Sequence, residues 1–158
     1  MRIAIGCDEA AVSLTNILRQ HLKAKNIELE DFGVFSEEKV DYPDIALKVA
    51  ESVAFGACER GILVCGTGIG MCITANKVPG VRAALCHDTY SAERARKSND
   101  AQVITMGARV IGSELAKAII DAWLVSEFAG GGSTIKVEKM NAVDEKYRQG
   151  RVDEKVNC

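Results

Sequence analysis

The chain has 158 residues, which fits a single domain because one hydrophobic core serves roughly 100 to 200 residues. Hydrophobic residues make up 47% of the sequence and charged residues 27%, a globular composition that excludes a wholly disordered chain. The net charge of -2 provides no general attraction for nucleic acid or an anionic membrane, so we expect a small molecule as the partner.

Several other classes of protein are disfavoured by simple patterns. No apolar run reaches the roughly 20 residues that span a bilayer, and the N-terminus leads directly into a strand-like segment instead of a signal peptide. We therefore expect a cytoplasmic protein. The six cysteines lack close-pair spacing, which indicates reduced thiols. The two histidines lie far apart and away from any CxxC pair, so the sequence predicts no metal site.

Short apolar runs alternate with helical patterns along most of the chain. Strands are predicted at 2–7, 27–32, 61–64, 81–86 and 103–106. Helices are predicted after each strand, ending near Lys25, Val53, Ala75, Lys97 and Trp123, and Ser113 is predicted as the N-cap of the fifth. Such alternation predicts an α/β fold in which helices cover both faces of a parallel sheet of five strands.

The end of the chain departs from this alternation. Residues 127–136, EFAGGGSTIK, contain three consecutive glycines, and a further helix is predicted over about 134–147 with a modest apolar stripe. We expect this helix to pack on a second subunit. Residues 1–150 are predicted to form one domain, and residues 151–158 a flexible tail.

The most distinctive motif is VCGTGIGM at residues 64–71, which follows the third predicted strand. A dinucleotide site has GxGxxG after its first strand, whereas this motif has GxGxG after the third, which disfavours a dinucleotide-dependent oxidoreductase. The motif also lacks the Gly-Lys-Ser/Thr ending of a P-loop. The backbone N–H groups of such a turn at a helix N-terminus can hold an oxyanion.

Two side chains of this turn are candidates for chemistry. Cys65 lies where the positive end of a helix favours the thiolate, so it can act as a base or a nucleophile. The Thr67 hydroxyl can donate and accept, which suits a proton relay between neighbouring oxygens. An enediolate needs a base, oxyanion donors and a relay together. Spacing alone leaves open an alternative, in which a buried cysteine ends the strand and the glycines only form a sharp turn.

Further motifs extend over nearly the whole chain. They are Asp8, DYPD at 41–44, CGTGIG at 65–70, ANK at 75–77, GVRAA at 80–84, Asn99-Asp100 and GARVIG at 107–112. With these motifs the sequence resembles the type B ribose-5-phosphate isomerase family, which includes galactose-6-phosphate isomerase subunits. The resemblance implies a Rossmann-like, doubly wound fold in three layers and a sugar-phosphate aldose–ketose isomerase without a cofactor. It also implies a homodimer, and with it a possible tetramer, with active sites between subunits.

The resemblance implies roles for individual residues. Cys65 would be the base that moves a proton between C1 and C2, and Thr67 the relay between the oxygens. Backbone amides would surround the enediolate at Gly66, Gly68 and Gly70. The remaining contacts, with the sugar hydroxyls and the phosphate, would come from Asp8, Tyr42, Asn99 and Arg109.

Some positions depart from the family pattern. Glu9 and Ser98 stand where the family usually has histidine, and the second of these histidines is the expected ring-opening residue. The family's Gly-Gly-Arg-His becomes Gly-Gly-Gly-Ser at 130–133, and a following arginine becomes Lys136. One phosphate-binding arginine is thus absent, and the other is replaced by a lysine, which keeps the charge but loses the bidentate fork.

The missing ring-opening histidine indicates a shorter substrate. A pentose 5-phosphate closes a furanose ring through its free C4 hydroxyl, whereas a tetrose 4-phosphate has that oxygen esterified and stays open. Residues 86–112 are also similar to the branch of the family that isomerises tetrulose phosphates. We therefore expect erythrose or erythrulose 4-phosphate as the substrate. Ribose 5-phosphate and a non-catalytic sugar-phosphate-binding subunit remain as alternatives.

Two further residues have two interpretations each. Glu9 is either a carboxylate that binds a substrate hydroxyl or a charge at a helix start. His87 follows a strand end in CHDTY, so it either reaches the pocket as an acid or phosphate donor or caps the next helix with Asp88.

Overall fold

The computed structural model describes residues 1–36 and 38–148, so the tail predicted at 151–158 lies outside the described residues. Its strands are β1 Arg2–Cys7, β2 Glu28–Asp31, β3 Arg60–Cys65, β4 Ala83–Leu85 and β5 Val103–Gly107. Its α-helices are α1 Val12–Ala24, α2 Tyr42–Ala54, α3 Ile69–Ala75, α4 Thr89–Asn99, α5 Ser113–Leu124 and α6 Thr134–Arg148. Short 3-10 helices, Glu9–Ala11 and Gly131–Ser133, precede α1 and α6.

The strands form one parallel sheet in the order β2-β1-β3-β5-β4. The chain leaves β1 toward one edge of the sheet and leaves β3 toward the other. A switch point of this kind, between neighbouring strands whose connections diverge, opens a crevice at their carboxyl ends. Asp8 and the glycine turn after Cys65 lie at this place, and the predicted five-stranded, doubly wound sheet is confirmed.

Helices cover the sheet on both faces. One core joins the sheet to α1, α4 and α5 through residues such as Leu18, Ile62 and Trp123. The other joins it to α2 and α3 through Val49, Leu63 and other residues. All six residues of β3 are buried, as expected for a central parallel strand between two helical layers. No helix of residues 1–36 and 38–148 is long and apolar enough to cross a membrane.

Several element boundaries differ from the sequence-based expectation. The outer strands β2 and β4 are shorter than predicted because each pairs with a neighbour on only one side. Ser113 was predicted as the N-cap of α5, and this was wrong. Gly112 occupies the N-cap position without a side-chain hydrogen bond, and Ser113 is the first helical residue.

Helix α6 follows the glycine-rich segment, close to the predicted position. The Asp144 carboxylate accepts the Gly80 N–H at 2.8 Å, and the Asn141 side-chain oxygen accepts from Arg82 at 2.9 Å. Val137 is the buried apolar residue of this helix. Apolar side chains on the rest of α6 are exposed, at Ile135, Met140, Val143 and Tyr147. The helix therefore presents an apolar surface that residues 1–36 and 38–148 leave uncovered.

Candidate active site

Cys65 ends β3 below the glycine turn. Its side chain is buried, and its Sγ accepts the backbone N–H of Gly68 at 3.1 Å. Gly68 has φ of +78° and is the N-cap of α3, a left-handed conformation that favours glycine. This N–H group holds the sulfur in place directly below the glycine turn. The turn therefore places a thiol where it can serve as a base.

Strand β5 braces the turn from the other side. The buried Thr105 hydroxyl donates to the Gly68 carbonyl oxygen at 2.9 Å. A methyl group in place of the Gly107 hydrogen would lie 2.7 Å from the carbonyl carbon of Thr67, so strand end and turn are in close backbone contact. The Thr67 side chain itself is exposed, and its Oγ1 accepts the Ile69 N–H at 3.3 Å. Its hydroxyl can therefore reach a bound molecule.

Arg109 brings a positive charge to the same turn. The N–H of Arg109 donates to the Gly66 carbonyl at 3.0 Å, and the N–H of Ala108 donates to the Cys65 carbonyl at 2.8 Å. Atoms of the guanidinium lie 3.4 to 3.5 Å from the point where a Cβ on Gly66 would be. The arginine is therefore held against the face of the glycine turn, where an anionic group can pair with it.

Asp8 lies at the end of the neighbouring strand β1. Its side chain accepts the Ala10 N–H at 3.1 Å and caps the 3-10 helix. Burial is the main cause that raises the pKa of Asp8 above its ordinary value of 3.8, the charge of Glu9 adds to the effect, and Arg109 opposes it. Glu9 accepts the Val40 N–H at 3.4 Å. Its carboxylate thus holds the loop before α2, and both interpretations of Glu9 stay open.

Tyr42, the first residue of α2, packs against the glycine turn. A Cβ on Gly70 would lie 2.5 Å from two ring carbons of Tyr42 and 2.6 Å from its hydroxyl oxygen. The Tyr42 ring can therefore pack here only because residue 70 is a glycine without a side chain. Tyr42 is 40% exposed, so its hydroxyl is open to a ligand beside the turn.

His87 lies beside the end of β5. Its Nε2 and the backbone N–H of Gly107 form a hydrogen bond of 2.9 Å. The cap of α4 is formed by Asp88, whose carboxylate accepts the Ser91 N–H at 2.7 Å and the Ser91 hydroxyl at 2.6 Å. Of the two interpretations, the structure thus assigns the cap to Asp88 and directs His87 toward the glycine turn.

Two predicted site residues lie away from this group. Asn99 ends α4, which runs back to the amino edge of the sheet, and its side chain donates to the Arg94 carbonyl at 3.2 Å. Lys136 lies on α6, whose described hydrogen bonds reach Gly80 and Arg82 before β4. Their roles in the site stay predictions, and one copy of the chain does not bring them to Cys65.

Sequence reasoning missed two residues that shape the site. Thr105 is a polar residue inside the buried strand VITMG, and that isolation was the available signal for a buried hydrogen bond. Gly107 was part of a recognised motif, but its contact with Thr67 depends on which strands are neighbours. Within the described residues, no cluster of three or more His, Cys, Asp or Glu side chains is placed to hold a metal ion.

Residues 3–140 match the family model of the ribose/galactose isomerases. The chain belongs to this family. It is 60% identical over 148 residues to ribose-5-P isomerase B of Listeria innocua, covering 94% of this chain and 100% of that protein. It is 58% identical over 141 residues to D-erythrulose-4-phosphate isomerase of Pectobacterium atrosepticum, covering 89% of this chain and 93% of that protein.

The similarity extends to a solved structure. Ribose-5-phosphate isomerase B of Clostridium thermocellum superimposes with a TM-score of 0.91 at 47% identity, covering 93% of this chain and 99% of that chain. The predicted family and the Rossmann-like fold are confirmed. The chain is a sugar-phosphate isomerase of this family, and because its relatives are named for two different sugars, its substrate is a separate question.

Proposed function

We propose that this isomerase interconverts an aldose phosphate and a ketose phosphate through a cis-enediolate, and that its preferred substrate is a tetrose 4-phosphate of the erythrose/erythrulose type. The chemistry rests on one observation, the Cys65 sulfur 3.1 Å from the Gly68 amide in a turn whose Thr67 side chain is exposed. The same turn offers further amides, and it has Thr67 on its surface and Arg109 against its face.

The proposed reaction is a proton transfer within the substrate. The Cys65 thiolate removes the proton from C2 of the aldose, which leaves an enediolate, and returns it to C1. The Thr67 hydroxyl passes the oxygen-bound proton between O1 and O2. Amides of the turn stabilise the negative charge on the enediolate, and Arg109 pairs with the phosphate. No electrons leave the substrate, so the reaction itself requires no redox cofactor.

The substrate preference follows from what the chain lacks. Ser98 occupies the position of the expected ring-opening histidine, so no imidazole is available there to open a furanose. A tetrose 4-phosphate avoids that step because its O4 carries the phosphate. A relative that is 58% identical and named D-erythrulose-4-phosphate isomerase supports this choice.

We further propose a homodimer in which each active site contains residues of both copies. Asn99 and Lys136 lie away from Cys65 in one chain, and a second copy could supply them. Apolar side chains beside the site, Ile69 at 51% and Ile73 at 57% exposure, provide a surface for the contact. The exposed face of α6 provides another. Burial of such surface in a symmetric pair would bring the separated residues to the turn.

The substrate is tested with the purified enzyme on a panel of four- to six-carbon sugar phosphates. We expect kcat/KM for erythrose or erythrulose 4-phosphate to exceed that for ribose 5-phosphate by at least about tenfold, a difference of about 1.4 kcal/mol in the barrier. A preference for ribose 5-phosphate would contradict the proposal. Binding without turnover of any sugar would indicate the non-catalytic subunit instead.

A matched variant separates ring opening from the rest of the reaction. Ser98→His restores an imidazole at the expected position, so kcat/KM for ribose 5-phosphate should rise about 10²- to 10⁴-fold, the usual contribution of a general acid or base. The value for the tetrose 4-phosphate should stay within about twofold, because that substrate has no furanose to open. An equal rise for both sugars would argue against the proposed reason for the preference.

A further inference from the structure

We propose that His87 is a positioning residue of this active site. Its neutral imidazole holds the Gly107 amide, and through Gly107 it sets the place of Thr67 and Arg109. The inference rests on the proposed function, because it concerns the proton relay and the phosphate partner of the same reaction.

The hydrogen bond fixes the protonation of the ring. A backbone N–H only donates, so the Nε2 of His87, 2.9 Å from the Gly107 nitrogen, accepts and carries no proton. In a neutral ring the proton is then on Nδ1. His87 lies just past the last pairing of β4 with β5, where Leu85 is opposite Thr105 and the Cys86 N–H donates to the Thr105 carbonyl at 3.0 Å. The imidazole thus continues the strand pairing by one more bond.

Gly107 carries this bond to the reacting groups. Its α-carbon packs against the Thr67 backbone so closely that a methyl group there would lie 2.7 to 2.8 Å from three backbone atoms. The two residues after it donate to the glycine turn, Ala108 to the Cys65 carbonyl at 2.8 Å and Arg109 to the Gly66 carbonyl at 3.0 Å. A shift of Gly107 therefore moves the relay hydroxyl and the guanidinium together.

A protonated imidazole cannot perform this role, because both of its nitrogens donate. Protonation of the ring would therefore remove the hydrogen bond to Gly107. The titratable or charged groups on the elements that meet at the ring include Cys86 and Asp88 next to it in the chain, Cys72 on α3, Arg109 after β5 and Cys65 at the end of β3. Asp88 is engaged by Ser91 at the start of α4.

Three variants of His87 test the role. In His87→Gln the amide oxygen has the reach of Nε2 and accepts at every pH, whereas His87→Asn is one atom shorter and His87→Ala has no acceptor. We expect kcat of the Ala and Asn variants to fall about tenfold or more and that of the Gln variant to stay within about threefold of wild type, since one hydrogen bond corresponds to roughly a factor of ten. Thermal unfolding checks that each variant is folded.

The pH dependence distinguishes positioning from packing. The ratio of wild-type kcat to His87→Gln kcat cancels the ionisation of Cys65 and of the substrate phosphate, which both enzymes share. We expect this ratio to fall once the pH is low enough to protonate the imidazole, because the protonated ring has no acceptor for the Gly107 N–H whereas glutamine keeps one. A packing role would leave the ratio constant with pH.

The tautomer is measured without any substrate. The chain has two histidines, so His21→Gln leaves His87 as the single imidazole, and long-range ¹H–¹⁵N correlation spectra identify which nitrogen carries the proton. We expect the Nδ1–H tautomer in the folded protein. An Nε2–H tautomer, or equal kcat in the Ala and Gln variants, would overturn the inference. A wild-type enzyme that turns over no sugar phosphate would instead refute the proposed function. The tautomer of His87 would still be measured by NMR, because that experiment requires no activity.

Discussion

The surroundings of each cysteine decide its chemistry. Burial and the nearby Asp88 charge raise the pKa of Cys86 to about 12, and burial raises the pKa of Cys7, so both thiols stay protonated at neutral pH. Cys65 is also buried, but its sulfur accepts an N–H group. Of these three thiols, only Cys65 combines a hydrogen bond from a backbone amide with a position beside the exposed side chain of Thr67.

Cys65→Ala tests the base directly. The variant should bind substrate but lose about 10²- to 10⁴-fold in kcat, the usual contribution of a general base. The rate at which the C1 or C2 hydrogen exchanges with solvent deuterium, measured by NMR, should fall by the same factor as kcat. Cys58→Ser is the matched control, because Cys58 is buried just before the amino end of β3, whereas Cys65 ends that strand. The Cys58 sulfur donates to Glu30 at 3.1 Å, a bond that serine keeps. Unchanged exchange in Cys65→Ala would exclude Cys65 as the base.

The charged form of Asp8 lowers the stability of the folded protein, because its carboxylate is buried at the end of β1. Its pKa in the folded protein is raised above 3.8, so the folded state binds the proton more tightly than the unfolded chain does. The free energy of unfolding that Asp8 contributes is therefore present below pH 3.8 and is lost as the pH rises through the raised folded pKa.

Asp8→Asn keeps the cap on Ala10 and removes this titration. The free energy of unfolding in urea should rise for the variant relative to wild type between pH 4 and pH 7. At pH 7 the variant should be at least as stable as wild type. If Asp8 binds a substrate hydroxyl, KM should rise about tenfold, about 1.4 kcal/mol of binding. The same pH dependence in variant and wild type would refute the stability argument.

At the level of single residues, the sequence identified the turn that the structure places at the switch point of the sheet. The spacing around Cys65 and Thr67 was compatible with proton transfer and with packing, and only the resemblance to the family favoured proton transfer. The partner of His87 was not predictable. Its hydrogen bond to Gly107 exists only because β4 and β5, which are separated by α4 in the chain, are neighbours in the sheet.

Among the elements, β5 does most to assemble the site. It lies between β3 and β4, its Thr105 holds the glycine turn, and the residues after it donate to the end of β3. Periodicity predicted every strand because buried parallel strands are nearly continuous apolar runs. It could not predict strand order, which depends on packing between distant segments, or the N-cap at Gly112, where no capping side chain marks the helix start.

Gly107→Ala tests the contact between β5 and the turn. The added methyl would meet the Thr67 backbone at 2.7 to 2.8 Å, and backbone atoms cannot rotate away. We expect a loss of about 1 to 3 kcal/mol in the free energy of unfolding, measured in urea, and at least about a tenfold fall in kcat. Gly132→Ala is the control, since no atom lies within 4 Å of a Cβ there. Equal effects of both substitutions would show that the close contact is unimportant.

For the molecule as a whole, the main question is what covers its exposed apolar surfaces. The proposed homodimer predicts that neither Cys65→Ala nor Asn99→Ala chains are active alone, because each lacks one half of every site. Mixed after partial unfolding and refolding, they should recover about a quarter of wild-type activity, since half of the dimers are mixed and each holds one intact site.

Analytical ultracentrifugation should show a species of twice the 17.0 kDa chain mass for wild type and for both variants. Shared sites would be contradicted if active wild-type protein sediments as a monomer. They would also be contradicted if mixed dimers form but the mixture stays inactive. A control mixture of Cys65→Ala with Cys65→Ser should recover no activity, because both chains lack the same group.

The position of β5 also has a consequence for synthesis on the ribosome. About two thirds of the chain must emerge before residues 103–107 can enter between β3 and β4. Until then the central strand β3 has an unpaired edge, and the nascent chain contains neither Gly107 nor Arg109. Pairing between such distant segments is slow, and open strand edges promote aggregation. The strand order that gathers this active site thus leaves the growing polypeptide exposed to misassembly during most of its translation.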